Sequence, residues 1–241
     1  MNIKRGSWDP LPPAPPPFPD NRKPILIEII GDLSCPWCYV SKRRLDQVLA
    51  SNECQKRYNI RVRSLPLLLN PEYPPAEELK CLQFPPPKPS NFSPEILRIA
   101  LRVGLGSTNF RANNLARRAS TVQGHCLLKF AEMETDNLLI QHMLSERLYN
   151  SFLGDGEYPT LPNIIKLARQ VGLDASKAKL FLESREEEAN VRMESLQYLK
   201  QGVQQLPFFI LNGKALFAGC QDHKTIMQAF EVAPWISKKK E

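Results

Sequence analysis

The spacing of apolar residues changes period three times along the chain. Ile25 to Ile30, ILIEII, is a short apolar, β-branched run and predicts a buried strand. Gly31 to Ser34 reads as a turn. CPWCYVSKRRLDQVLAS follows, with Tyr39, Leu45, Val48 and Leu49 on one helical side. Pro36 falls in the first turn of that helix, where a missing N–H costs nothing. Asn59 to Leu69 alternates and then runs apolar, which predicts a second strand. From Ser93 to about Gly202 the period is helical. Ser93-Pro94 opens SPEILRIALRVG, which stops at Gly104. LARRASTVQGHCLLKFAEMET, DNLLIQHMLSERLYNSFLG, LPNIIKLARQVG and SREEEANVRMESLQYLKQG continue the block. LPFFIL then reads as a strand, Asn212-Gly213 as a two-residue hairpin turn, KALFAG as the return strand and Asp222 to Val232 as a closing helix.

The 22 prolines mark the boundaries. One cluster lies within residues 1–24 and predicts an extended, disordered leader, with a proline-recognition partner as a lesser candidate. A second, between Pro66 and Pro94, reads as a long irregular connector. The expected organisation is a leader (1–24), a βαβ half with its connector (25–92), a helical insertion (93–202), a ββα half (203–234) and a basic tail (235–241). That order is an α/β fold, a thioredoxin-like core with a large all-helical insertion between its halves.

Length and composition narrow the class without changing that picture. At 241 residues, 42% apolar and 24% charged, the chain suits one large domain with a substantial core. No apolar run reaches the roughly 18 residues of a membrane span. The first 20 residues lack the apolar stretch of a secretory signal, so a cytoplasmic protein is expected, with no membrane partner. The net charge of +7 is scattered, and no basic stripe with interleaved aromatics predicts nucleic-acid binding.

Six cysteines are too few for a disulfide framework. Cys54, Cys81 and Cys126 read as ordinary thiols. Cys35 and Cys38 are different, because C-x-x-C at a helix start just after a strand is the arrangement of a redox pair. Free N–H groups and the helix dipole favour an anion at the first cysteine. A thiolate there has its pKa pulled below the free value of roughly 8.5. The second cysteine, one turn on, is within reach of a disulfide. Half a zinc site would need a second C-x-x-C or an H-x-x-x-H, and neither exists, so no metal is expected. An inert structural pair is the other reading. Asp32 is a candidate proton relay to Cys38, or else a cap on the turn. His125 is a candidate cleft-lining residue, or else a packed core histidine. Cys220 should emerge at the same end as Cys35, two strands across, or else simply replace a small apolar residue.

GDLSCPWCYVSKRRL, LPLLLNP, NNLARRASTVQGHCLLKFAE and LPFFILNGKALFAGCQ together resemble the DsbA-like thioredoxin family. The branch they are most similar to is the FrnE-type subgroup, related to 2-hydroxychromene-2-carboxylate isomerases and kappa-class glutathione transferases. The resemblance covers about residues 25 to 233. It implies an enzyme that exchanges thiols and disulfides. Cys35 would be the attacking thiol, Cys38 the resolving thiol, and Pro207 a cis-proline holding substrate backbone, flanked by Leu206 and Trp37. It implies no tightly bound cofactor, glutathione as a co-substrate, a disulfide- or dithiol-bearing protein or small molecule as substrate, and a homodimer as a candidate assembly. Gln205-Leu206 stands where the family often has Gly-Val, and Gly219-Cys220-Gln221 where it has Gly-Ala-Gln. Two alternatives remain: a glutathione-dependent isomerase or transferase, and a non-catalytic binding module.

Overall fold

The computed structural model describes residues 21–81, 93–105 and 118–234. The leader up to residue 20, the basic tail and residues 82–92 of the second proline cluster lie outside those residues.

The first strand, β1 (Lys23–Gly31), is the apolar run of the sequence, extended by two residues at its start. The helix α1 (Pro36–Leu49) follows the turn, and a short α2 (Asn52–Arg57) precedes β2 (Tyr58–Pro66). The expected second strand therefore ends at Pro66 and not Leu69. β1 and β2 are parallel, as a helical crossover requires. The hairpin is β3 (Phe208–Leu211) and β4 (Lys214–Ala218). Asn212 and Gly213 both take positive φ, 49° and 76°, the signature of the tight hairpin turn their identities predict. β3 lies antiparallel to β1, and the sheet order is β2-β1-β3-β4. A last helix, α10 (His223–Val232), opens on Asp222, whose carboxylate accepts from Thr225 N at 2.8 Å.

The pleat of β1 divides the core. Ile25 and Ile27 pack with Leu45, Val48, Phe209, Leu211 and Phe230, under α1 and α10. Ile30 packs on the other face with Leu65, Leu67, Tyr198 and Phe208. Glu28 interrupts the apolar run and is fully buried, opposite Arg63 of β2 in the register. Arg63 reaches Glu28 at 3.3 Å and Glu132 at 2.9 Å. One guanidinium thus bridges two carboxylates across a sheet-to-helix junction, the pairing that makes a buried charge tolerable.

Between the halves lie α3 (Ala76–Cys81), α4 (Pro94–Arg102), α5 (Val122–Thr135), α6 (Leu138–Tyr149), α7 (Leu161–Gln170), α8 (Ala175–Ser184) and α9 (Glu186–Lys200). α6 runs on into a wider π turn, Asn150–Asp155. α3 sits inside what reads as an irregular connector, and α8 is an additional helix of the block. The helices share one core with the residues around the C-x-x-C: Leu33, Cys35, Cys38, Tyr39 and Val40 pack with Leu127, Leu144, Leu148 and Phe152. Burying one such leucine contributes about 1.5–3 kcal/mol. The turn after β1 is thereby pinned between the sheet and the helical block. This is the α/β architecture predicted above, a thioredoxin-like core interrupted by helices.

Candidate active site

The site begins with the turn after β1. Cys35 is the N-cap of α1, with extended backbone (φ −86°, ψ 114°), and its side chain caps nothing. Its N–H donates to the Asp32 carbonyl at 3.0 Å, and its carbonyl accepts from Tyr39 at 3.2 Å. Pro36 is the first helical residue, and no acidic residue occupies the first turn. The sulfur therefore stands beside unpaired amides and the positive end of the helix dipole.

Two glycines allow the thiols to sit where they do. A Cβ on Gly31 would lie 3.0 Å from the Cys38 sulfur, so only glycine lets that thiol lie against β1. A Cβ on Gly124 of α5 would lie 2.6 Å from Leu33, so α5 presses onto the turn at a point that has no side chain. Both cysteines are buried, Cys35 at 6% exposure and Cys38 at 3%. The first cysteine is therefore nearly as buried as the second. Trp37, Leu206 and Cys220, each half-buried, pack against the cluster that contains both thiols.

The two thiols are nevertheless unlike. A hydrogen bond from the Cys38 thiol pulls the Cys35 pKa below its ordinary value; burial opposes this, the N–H groups of Cys38 and Trp37 support it, and the charge of Asp32 opposes it. Cys38 is pushed well up, first by burial and then by the hydrogen bond it gives to Cys35. Burial pushes Cys54 up to about 11 and Cys126 up to about 12. Of the two, Cys35 is the thiol whose anion is favoured and Cys38 the one that retains its proton.

Register places the hairpin beside them. Ile30 pairs with Phe208, so Pro207 falls opposite Gly31 at the end of β1. The Leu206–Pro207 peptide is cis. Phe208 pairs with Ala218, and the Gly219 N–H donates to the Pro207 carbonyl at 2.7 Å. Cys220 follows at the same end, two residues past β4, the strand two across from β1. Its sulfur lies 3.5 Å from Arg44 Nη1, which also donates to the Gln221 carbonyl at 3.0 Å. The structure therefore brings Cys35, Cys38, Trp37, Leu206, Pro207 and Cys220 to one end of the sheet.

Asp32 is 1% exposed and its oxygens are occupied. Oδ1 accepts from Ser34 N and Thr121 Oγ1, both at 2.9 Å, and Oδ2 accepts from Leu69 N at 2.7 Å. The carboxylate ties the turn, the segment after β2 and the start of α5 together, which is the capping reading of this residue. His125 is 4% exposed, with Nε2 4.0 Å from Asp32 Oδ1. Burial pushes its pKa down. It lines a small cavity together with Cys38, Lys42 and Tyr149.

Sequence reasoning missed Tyr149 and His142. The Tyr149 hydroxyl hydrogen-bonds Cys38, and burial first, then the neighbouring thiols, push its pKa well up. Its ring stacks on Tyr39 at 5.4 Å between centroids. His142 Nε2 lies 2.7 Å from Asp46 Oδ1. Their only trace in the sequence is position: residues 142, 145 and 149 share one side of α6. Among the described residues, no group of three or more His, Cys, Asp or Glu is placed to hold a metal ion. No helix among them is long and apolar enough to cross a membrane.

The profile of the DSBA-like thioredoxin domain matches residues 26–231. No curated protein matches the chain. Among solved structures, a probable DsbA oxidoreductase from Streptomyces coelicolor superposes with a TM-score of 0.64 at 23% identity, covering 89% of this chain and 94% of that one. A 2-hydroxychromene-2-carboxylate isomerase gives 0.58 at 14%, covering 86% and 94%. The cytosolic disulfide reductase DsbM from Pseudomonas aeruginosa, with GSH, gives 0.52 at 15%, covering 76% and 84%.

Proposed function

The chain belongs to the DSBA-like thioredoxin domain family, and from that premise we propose that it is a thiol–disulfide oxidoreductase working through Cys35 and Cys38. The observation that carries the reading is the asymmetry of the pair: Cys35 is pulled down at a helix N-terminus and Cys38 is pushed up behind it. In the reducing direction, the Cys35 thiolate attacks one sulfur of a substrate disulfide, and the other sulfur leaves as a thiolate that takes a proton. The Cys38 thiolate then attacks the Cys35 sulfur and releases the second substrate thiol. Two electrons pass to the substrate, and Cys35–Cys38 becomes a disulfide. The reverse sequence oxidises a dithiol.

Leu206, Pro207 and Trp37 form the substrate-facing side. An extended substrate strand beside Pro207 would lie at the open end of the hairpin, as in strand addition. Glutathione is the proposed small co-substrate and the cytosol the proposed compartment. Both readings draw support from the structural likeness to a cytosolic disulfide reductase holding GSH. A homodimer is compatible with this scheme and not required by it.

A glutathione-dependent isomerase is the second reading, prompted by the fold shared with the isomerase above. An isomerase has no use for a resolving thiol. Cys38→Ser separates the two. Under the oxidoreductase reading it accumulates a Cys35 mixed disulfide with glutathione or substrate protein, visible on a non-reducing gel and lost with dithiothreitol. Wild-type turnover of disulfides by Cys38→Ser without any adduct would defeat this reading and favour the isomerase.

A further inference from the structure

Resolution requires Cys38, a thiol buried and pushed up, to lose a proton, and the proton needs somewhere to go. The oxygens of Asp32 are committed to Ser34, Thr121 and Leu69. Behind Cys38 lies a small cavity of about 20 Å³ between β1, β2, α1, α5 and α6. Its polar lining includes Cys38, His125, Tyr149 and Ser145 at one end, and Lys42 and His142 about one helical turn away. Such a space takes about one water, provided two to four polar partners surround it. They do. His125 Nε2 and His142 Nδ1 are both buried polar atoms with no hydrogen-bond partner, and both rings line the cavity. Buried orphans of this kind are uncommon, and a bound water is their ordinary explanation.

His142 is also where the cavity meets the outside. It lines a surface groove of about 610 Å³, together with Arg61, Asn59 and Asp136, and its side chain is 15% exposed. Its Nε2 sits 2.7 Å from Asp46 Oδ1 and 3.4 Å from Lys42 Nζ. The carboxylate can only accept, and its contact is much the shorter, so Nε2 carries the hydrogen. In the neutral ring Nδ1 is then an acceptor, and it is the nitrogen without a protein partner. The charged groups around the ring are Lys42 and Asp46 on α1, Glu146 on α6, Arg61 on β2 and Asp136 just after α5. Glu132 of α5 and Arg63 of β2 are paired with each other at 2.9 Å.

Resting on the oxidoreductase reading, we propose that the cavity is a one-water site through which His142 takes the Cys38 proton and passes it to the surface groove. In the step, the Cys38 S–H proton moves to the water while a water proton moves to His142 Nδ1. The imidazolium, held by Asp46, loses its Nε2 proton to solvent at the groove, and the ring returns to its Nε2–H form before the next turnover. The Cys38 thiolate attacks the Cys35 sulfur, the Cys35–substrate S–S bond breaks, and the departing thiolate is protonated. His125 orients the water, and the Tyr149 hydroxyl donates to the thiolate that forms. His142 and His125 are positioning residues here, because neither touches substrate.

The test is single-turnover release of glutathione. Glutathione is loaded on Cys35 with an activated glutathione disulfide, and its release is followed from pH 6 to 9 in the full chain. His142→Phe should slow release at pH 7 by about 100-fold, the low end of what a positioned proton acceptor supplies. The gap should narrow as pH rises and hydroxide takes over. Asp46→Asn keeps an acceptor for Nε2 but removes the negative charge that holds the imidazolium, and should slow release by about tenfold with the same convergence. The rate at which Cys35 is loaded is the internal reference, and the deficit should appear in release alone. Release at the wild-type rate across the whole range in both variants overturns the relay. So does an equal fall in loading and release with no change in pH profile, since that is damage to the fold. If wild-type protein loads glutathione but never releases it, the oxidoreductase reading fails and the relay falls with it.

Discussion

The sheet and the helical block contribute opposite things to the same two sulfurs. On the sheet side the neighbours are apolar or peptide groups: Leu206, Pro207, Trp37 and the amides that begin α1. On the helical side they are polar: Thr121, His125, His142, Ser145 and Tyr149. The sheet side favours the Cys35 anion and, in the proposed reaction, is the face a substrate would meet. The helical side fixes Asp32 and surrounds Cys38 with groups that exchange protons. A plain thioredoxin-like core without the insertion would retain the first set and lose the second.

The sharpest way to break the comparison is to remove one sulfur from each side. Cys35→Ser should drop disulfide exchange to background in a glutathione-coupled assay, since Cys35 is the thiol whose pKa is lowered among the described cysteines. Iodoacetamide labelling read by peptide mass should locate the reactive thiol at residue 35 in mildly acidic buffer. First labelling at Cys38, Cys54 or Cys126 would contradict the asymmetry. Asp32→Ala comes next. It strands the Ser34 and Leu69 amides and the Thr121 hydroxyl in the core, at about 1–3 kcal/mol for each unsatisfied group. Urea denaturation should show a loss of several kcal/mol, and a loss under about 1 kcal/mol would refute the tie.

Gly124→Ala probes the contact between the two regions. The new methyl meets Leu33 at 2.6 Å, and overpacking of this kind costs about 1–3 kcal/mol. A melting temperature unchanged by the substitution would mean that α5 moves away freely. The smallest effect is in acid. Burial raises the Asp46 pKa, but His142 and Lys42 outweigh it and bring the carboxyl from 3.8 to about 2. Because the folded pKa is depressed, the stabilisation is full above about pH 4 and fades as pH falls through 2. It amounts to about 2 kcal/mol. Asp46→Asn should remove that part of the acid limb in a pH series of unfolding curves.

Legibility in the sequence followed the same division. ILIEII, the Asn212-Gly213 turn, the C-x-x-C and Pro207 were readable because each is a local signal: a strand run, a turn pair, a motif, a punctuating residue. The helical contribution was not. Tyr149 reaches Cys38 from 111 positions along the chain, and nothing in RLYNSFLG marks it as more than one further aromatic. His142 gains meaning only from Asp46, which sits on another helix. α8 escaped notice because ASKAKLFLES buries just Ala178 and Leu182, too few positions to set a period. α3 was hidden by the prolines on either side of it. Asp32 was read as relay or cap. Its partner Leu69 lies past β2 and Thr121 at the start of α5, so only the folded chain decides for the cap.

The strand next to the redox helix has a consequence for how the protein is made. β1 is a central strand, and its second edge is covered only by β3; Leu26 bonds to Asn212, 186 residues later. During synthesis β1, both C-x-x-C sulfurs and β2 emerge first, and the partner that closes that edge follows only 186 residues after Leu26. Throughout that interval the ribosome carries a two-stranded ribbon with an open, isoleucine-rich margin, the kind of edge that invites pairing with a stranger. Contacts so distant in sequence also close slowly. The order of the gene thus makes the interval before the final hairpin the period in which this polypeptide is most exposed to a chaperone, an oxidant or a neighbouring chain.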